Sequence, residues 1–334
     1  MTGRPDAFVL GVDSGGSGLR VALARVDDGE RGTPAASTVL RAGPVRTGPS
    51  GIDADHLLAQ VLPAARALLT AAGPAATLAA AAVGAAGMAT LGARLRDRLP
   101  GAFADAFGVR RVALAADAVT AYAGALGQRP GAVVAAGTGL IALGTDLTAW
   151  RRADGWGHLL GDSGGGAWIG RAGLDAALRA HDGRRGGSPA LLARLEAVFG
   201  PAAGLPGLLY PRTDRPAVLA SFAPEVAACA AGDEVAAGIL RAAAAHIAEA
   251  AAAACPPDLN GESYEVALTG GLFKTGDPLL VPLRAELARQ VPRARVVRAA
   301  GDPLAGSLEI GRALARSELR LPPHPTLLSL PGVA

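Results

Sequence analysis

The sequence predicts an α/β protein built from two related domains, and three observations lead there. The chain has 334 residues, more than one ordinary hydrophobic core serves and suited to two domains of about 150 residues each. A strand, glycine turn and returning strand occur twice, around Asp13-Ser14-Gly15-Gly16-Ser17-Gly18 and around Gly137-Thr138-Gly139. Between and after these hairpins, short apolar runs alternate with segments of helical spacing, as in sheets layered with helices.

Taken in order, Phe8 to Val12 reads as a first strand and Leu19 to Ala24 as its return. His56 to Ala72 has helical spacing and stops at Gly73-Pro74. Thr77 to Val83 is an apolar strand entering Gly84-Ala85-Ala86-Gly87, and Ala89 to Leu99 reads as helix. Arg111 to Ala115 is a strand ending at Ala116-Asp117, followed by a helix over Ala118 to Leu126. The second hairpin joins Ala132–Ala136 to Leu140–Gly144. Helical segments then follow Gly166, follow Pro189, and run from Ala217 to Ala254 with breaks near Pro224 and Gly232. Glu265 to Leu268 is a strand entering Thr269-Gly270-Gly271. Pro278 to Gln290 reads as helix, Ala294 to Val297 as strand and Leu304 to Leu319 as a closing helix. The proline-rich stretch from Leu321 to Ala334 is expected to pack loosely. The expected domains are residues 1–118 and 119–334, with the last helix a candidate to pack back on the first.

Composition narrows the function classes. Half of the residues are hydrophobic, the net charge is +3 and the arginines are scattered, as in Arg94, Arg96 and Arg98 among Leu95, Asp97 and Leu99. No basic stripe interleaved with aromatics exists, so no nucleic-acid partner is expected. Cys229 and Cys255 stand alone in Ala-rich stretches, and the five histidines are dispersed; reduced thiols and no zinc site follow. Met1 to Ala7 is polar, and the run from Ala75 to Ala86 is short and broken by Gly84, so the expectation is a cytoplasmic protein without a membrane partner.

Four glycine-bearing segments can carry chemistry. Consecutive backbone amides in the turn at Asp13, Ser14, Gly15, Gly16 and Ser17 can form a concavity for polyphosphate, with Asp13 as a Mg²⁺ ligand, directly or through water. An ordinary glycine-rich turn fits the same residues. Gly137, Thr138 and Gly139 offer a second such turn. Neither is a Walker motif, since Lys274 is the only lysine, and neither is a dinucleotide fingerprint, since a strand and not a helix follows. Asp117, at the end of an apolar strand, suits either a general base or a helix cap. Gly155 to Gly170 holds seven glycines, Trp156, Trp168, His158 and Asp162 in sixteen residues; a loop that brings backbone and polar groups to a hydroxylated ligand explains that density better than stability does. Asp162 can accept from vicinal sugar hydroxyls and Trp156 can wall the site, whereas Trp168 and His158 suit structural roles. Gly270 and Gly271 offer close backbone approach to adenosine, or simply a tight turn.

Together these landmarks resemble the N-acetylglucosamine kinase family (BadF/BadG/BcrA/BcrD-type ATPases), within the sugar kinase, heat-shock chaperone and actin superfamily. The likeness runs from about Phe8 to Ala315 and is most specific at Gly155-Trp156-Gly157-His158-Leu159-Leu160-Gly161-Asp162. It implies an α/β fold of two actin-like (ribonuclease H-like) domains with an ATP/sugar cleft between them. It further implies ATP and Mg²⁺ as cofactors, an N-acetylated amino sugar, phosphorylation of its 6-hydroxyl, and a homodimer. Asp117 matches the catalytic base. Asp162, Trp156, Gly157, Gly166, Gly139 and Gly87 match sugar contacts, Gly137 to Gly139 the second phosphate loop, and Gly270 and Gly271 the adenosine turn. Gly301 to Gly306 matches the glycine-bearing start of the last helix.

Three departures from the family pattern stand out. Ser14, Ser17 and Leu19 stand where the first loop usually has Gly, Thr and a second hydroxyl. Gly165 and Gly166 replace small polar residues. Arg46 takes the place of a sugar-binding Asn; it has only donors and a fixed charge, which suits the lactyl carboxylate of N-acetylmuramic acid. N-acetylglucosamine is the expected substrate, with N-acetylmuramic acid or glucosamine as alternatives. An iron–sulfur activator of the benzoyl-CoA reductase type lacks its cluster cysteines here, and the presence of Asp117 and of both phosphate turns argues against a non-catalytic sugar sensor.

Overall fold

Both glycine hairpins are present, and each begins a sheet. The protein is seen in a computed structural model that describes residues 6–15, 18–27, 39–48, 51–88, 92–256 and 263–331. Gly16 and Ser17 lie outside the described residues, as do Ala89 to Leu91 of the expected helix. The chain runs β1 (Asp6–Gly15), β2 (Gly18–Arg25), β3 (Val39–Ala42), β4 (Thr47–Gly48), β5 (Gly51–Ile52), α1 (Ala54–Ala72), β6 (Ala76–Ala85), α2 (Ala93–Phe107), β7 (Val112–Ala116), α3 (Asp117–Leu126). It continues β8 (Gly131–Ala136), β9 (Leu140–Thr145), β10 (Trp150–Asp154), α4 (Gly166–His181), α5 (Pro189–Phe199), α6 (Leu205–Leu209), α7 (Arg215–Ser221), α8 (Ala223–Cys229), α9 (Glu234–Ala254). It closes with β11 (Tyr264–Thr269), α10 (Asp277–Gln290), β12 (Ala294–Arg298), α11 (Pro303–Arg316) and β13 (Leu328–Ser329).

Two compact units result. One comprises Met1–Pro130, Asp146–Trp150 and Arg298–Ala334; the other comprises Gly131–Thr145 and Arg151–Val297. The changeover therefore falls at Pro130/Gly131, where the sequence reading put it at 118/119, because α3 packs along α11 within the first unit.

The sheet of the first unit has strand order β13-β7-β6-β1-β2-β3. Strands β1, β6 and β7 are parallel neighbours. They are covered on both faces, so Val9, Leu10, Val12, Ala81 to Val83 and Val112 to Leu114 are all buried, in unbroken apolar runs. Helix α11 lies on β1, where buried Ser307 Oγ donates to the carbonyls of Val12 (2.8 Å) and Pro303 (3.1 Å). It starts at Asp302, whose carboxylate accepts from the Ala305 amide at 3.0 Å, and Pro303 follows at the first turn. Asp53 opens α1 in the same way, accepting from the amides of Asp55 and His56.

The expectation of a loose tail is wrong. Leu321, Leu327 and Leu328 are buried, β13 pairs with β7, and the carbonyl of Leu327 accepts from the Ala116 amide at 2.8 Å. Proline removes backbone donors but does not stop the leucines between prolines from burying, at roughly 1.5–3 kcal/mol for each side chain.

The sheet of the second unit has order β10-β9-β8-β11-β12, with β8 parallel to β11 and antiparallel to β9. Helix α9 is the spine of its core: Leu240, Ala243, Ala244, Ile247, Ala248 and Ala251 are buried. Its small side chains let α10 approach closely. By length and composition α9 alone, among the described residues, matches a membrane span; its apolar stripe is taken up by this core. The breaks expected near Pro224 and Gly232 separate α7, α8 and α9.

Candidate active site

In the first unit, register decides which side chains meet. Ser14 of β1 pairs with Ala85 of β6, and Ala85 pairs with Ala116 of β7. The three parallel strands therefore end together, and Asp13, Gly15, Gly87 and Asp117 collect at one sheet edge. The Ala86 amide donates to the Ser14 carbonyl at 2.9 Å, which ties the two strand ends. Leu19 pairs with both Ser14 and Ala42, so residues 43–46, ending at Arg46, leave the sheet at the same edge.

Asp117 is exposed and is the first residue of α3; the cap position belongs to Ala116, which makes no side-chain cap bond. Its carboxylate accepts from the adjacent Ala118 amide at 2.9 Å, and Thr120 Oγ1 donates to its carbonyl at 2.9 Å. Asp13 is held by Arg20, its cross-strand partner: Nε and Nη2 donate to Oδ2 at 3.0 and 2.6 Å. Burial pushes the Asp13 carboxyl above its ordinary value, while the hydrogen bond and charge of Arg20 pull it down. Arg46 is exposed; its amide donates to His56 Nδ1 at 3.0 Å and its guanidinium lies 4.0 Å from Asp53.

In the second unit, the turn at Gly137, Thr138 and Gly139 closes with the Gly137 amide on the Gly139 carbonyl at 3.0 Å. The first amides of α4 support it: Gly166 donates to Gly137 (2.9 Å) and Ala167 to Thr138 (2.8 Å). Gly166 is thus buried behind the turn, while Gly137 and Thr138 are exposed. Thr269 of β11 pairs with Ala135 of β8, which brings Gly270 and Gly271 to the edge that carries Gly137. Gly270 has φ +107°, and a Cβ there would strike the Ala136 backbone, so only glycine fits this crossing.

Half-buried Asp162 stands beside that turn, its carboxylate occupying the place a Cβ of Gly139 would take. The carboxylate accepts from the Gly157 amide at 2.9 Å. Burial raises its pKa, the Gly157 bond lowers it, and the nearby charge of Asp154 raises it further. Trp156 is 63% exposed, with the Arg152 guanidinium 4.5 Å from its ring centroid. Trp168 is partly buried and meets His246 edge-on at 5.2 Å, in keeping with a structural role.

The sequence reading missed Arg20, Arg152 and Asp154. Arg20 was within reach of it, since antiparallel strands that pair Gly15 with Gly18 set residue 20 opposite residue 13. Asp154 gave no such signal, because its role depends on a left-handed backbone, φ +59°.

The chain matches the BadF/BadG/BcrA/BcrD ATPase family over residues 10–307 and belongs to it. One curated relative, the N-acetylmuramic acid/N-acetylglucosamine kinase of Clostridium acetobutylicum, is 42% identical over 69 residues. That match spans 20% of this chain and 22% of the relative, about a fifth of each. A candidate N-acetylglucosamine kinase from Chromobacterium violaceum has a similar structure, with TM-score 0.68 and 29% identity over 93% of this chain and all of that one. A counterpart from Porphyromonas gingivalis, at 17% identity and TM-score 0.63 over 93% and 99% of the two chains, shares the fold.

Proposed function

We propose that the protein transfers the γ-phosphoryl group of ATP to the 6-hydroxyl of an N-acetylated amino sugar, with Asp117 as general base. The observation that carries this reading is the common ending of β1, β6 and β7, which gathers Asp13, Gly87 and Asp117 at one sheet edge. Family membership and the likeness to the Chromobacterium violaceum protein support it.

In this reading the sugar hydroxyl attacks the γ-phosphorus in line, the bond to the β–γ bridging oxygen breaks, and the hydroxyl proton passes to the Asp117 carboxylate. Asp162 holds sugar hydroxyls through the lone pairs that the Gly157 and Leu140 amides do not use, and Trp156 offers an apolar wall. Backbone amides around Gly137 to Gly139 and around Gly15 hold phosphate oxygens, and Gly270 and Gly271 make room for adenosine. Among the described residues no three His, Cys, Asp or Glu side chains cluster as a metal cage. A single carboxylate, Asp13, with Arg20 on one oxygen, fits a hydrated Mg²⁺ that arrives with the polyphosphate. When bound, Mg²⁺ supplies charge neutralisation at the phosphates.

Arg46 favours a second reading of the substrate. It is exposed and its ion-pair partner among the described residues, Asp53, is 4.0 Å away, so its charge is available to an anionic substituent such as the lactyl group of N-acetylmuramic acid. The test is a coupled assay with ATP·Mg²⁺ against N-acetylglucosamine, N-acetylmuramic acid, N-acetylmannosamine, glucosamine and glucose. Turnover of an N-acetylated sugar supports the proposal; ATP turnover indifferent to every sugar defeats it.

A further inference from the structure

We propose that Asp154 is a positioning residue that fixes the geometry of Asp162, an inference that rests on Asp162 holding the sugar. The two aspartates are the ends of one loop, and both have left-handed backbones, at φ +59° and +55°. Asp and Asn tolerate that region better than most residues, but the conformation must still be held by its surroundings. The carboxylate of Asp154 holds it. Oδ1 accepts from the Asp162 amide at 2.7 Å and Oδ2 from the Ser163 amide at 2.9 Å. One carboxylate thereby satisfies two consecutive N–H groups, and charge-assisted bonds of this kind are about twice as strong as neutral ones.

The bond from the Gly157 amide to Asp162 Oδ1 closes the loop from the other side at 2.9 Å. Arg152 then fastens the Asp154 end. Its Nε donates to the Asp154 carbonyl at 3.0 Å and its Nη2 to the Gly155 carbonyl at 2.5 Å, while its guanidinium stacks on Trp156. Trp156 and Asp162, the proposed wall and the proposed hydroxyl ligand, are thus set by one network of Arg152 and Asp154. None of its links depends on the sugar, so the ligand geometry is formed in advance and less ordering is required on binding.

Asp154→Gly separates the carboxylate from the backbone, because glycine adopts the left-handed region without cost. The expected result is a KM for the sugar raised roughly tenfold with the KM for ATP unchanged and the Tm little altered. Asp154→Asn, which keeps one acceptor but sets an NH₂ against the second amide, should raise the sugar KM by about threefold, and this variant carries the test should the glycine variant not fold. An active wild-type enzyme with unchanged sugar KM in both variants, or an equal rise in the KM values for sugar and ATP, overturns the positioning role alone. A wild-type protein that phosphorylates no sugar overturns this inference together with the function it rests on.

Discussion

Arg20 grips Asp13 through a single oxygen: Nε and Nη2 both reach Oδ2, at 3.0 and 2.6 Å. The remaining nitrogen, Nη1, donates to Asp302 at 2.5 Å, at the residue that caps α11. One guanidinium therefore ties the candidate phosphate hairpin to the last helix. Among the described residues Oδ1 of Asp13 has no protein donor, and in the proposed reading it faces the water shell of Mg²⁺. Arg20→Gln strands a largely buried carboxylate, which should cost about 1–3 kcal/mol of stability. It should also weaken ATP·Mg²⁺ binding roughly tenfold with sugar binding unchanged. Calorimetric titration of each ligand checks this, and equal loss for both would point to a general structural defect.

Asp117→Asn keeps the size and the helix-terminal position of the side chain and removes its basicity. The kcat should fall by about 10²–10⁴, with the dissociation constants of sugar and ATP within about threefold of the original. A coupled assay and equilibrium binding separate the two effects. Full activity in this variant would remove Asp117 from the mechanism.

Asp162 gives a pH prediction whose sign is fixed by its surroundings. Burial raises its folded-state pKa most, helped by the charge of Asp154, and outweighs the pull of the Gly157 and Leu140 amides and of His158. The folded protein thus binds this proton more tightly than the unfolded chain does. Its stabilising contribution is complete below the ordinary Asp value of 3.8 and is lost as the pH rises through the raised one. At neutral pH the ionised group is therefore a burden. Asp162→Asn, which keeps an acceptor for Gly157, should raise the Tm at pH 7, and the gain should vanish below pH 4. Sugar phosphorylation should fall in the same variant, and the acid limb of wild-type kcat/KM should be displaced upward from the ordinary Asp value of 3.8. Thermal melts from pH 3 to 8 test the sign.

These residues also mark what a sequence discloses. The two hairpins, the strand ends at Asp117 and Gly270, and the helix breaks near Pro224 and Gly232 were legible because glycine, proline and apolar period are local signals. Even the collection of Asp13 and Asp117 at one edge needed only that β1 and β7 run parallel on either side of β6. The pairing of Arg20 with Asp13 was legible too, but its reach to Asp302, 282 residues away, was not. Asp154 was hidden because its value comes from two amides eight and nine residues on, which meet it only once the loop is folded. The tail misled for the opposite reason: its prolines spoke louder than its leucines.

Arg46 carries the substrate question. If its guanidinium meets an anionic substituent, Arg46→Asn should shift the kcat/KM ratio between N-acetylmuramic acid and N-acetylglucosamine by about tenfold towards the neutral sugar. Its exposure and its long contact with Asp53 mean that folding stability should hardly change. An unaltered ratio would leave Arg46 a solvent-facing residue.

The C-terminal strand makes the last prediction. Leu328 is fully buried and pairs with Ala115 of β7, two residues before Asp117. Leu328→Ala should cost about 2–4 kcal/mol, the loss of a buried leucine plus the space it leaves, whereas a loosely attached tail would give no change. Urea unfolding reads the difference. Truncation after Arg320 removes Leu321, Leu327 and Leu328 together and uncovers the edge of β7. The expected outcome is a less stable protein with an exposed strand edge that self-associates. Because Ala116 donates to the Leu327 carbonyl, truncation also frees the backbone just before Asp117. The kcat should fall with stability, and a truncated chain of full stability and full kcat would show that the strand is dispensable.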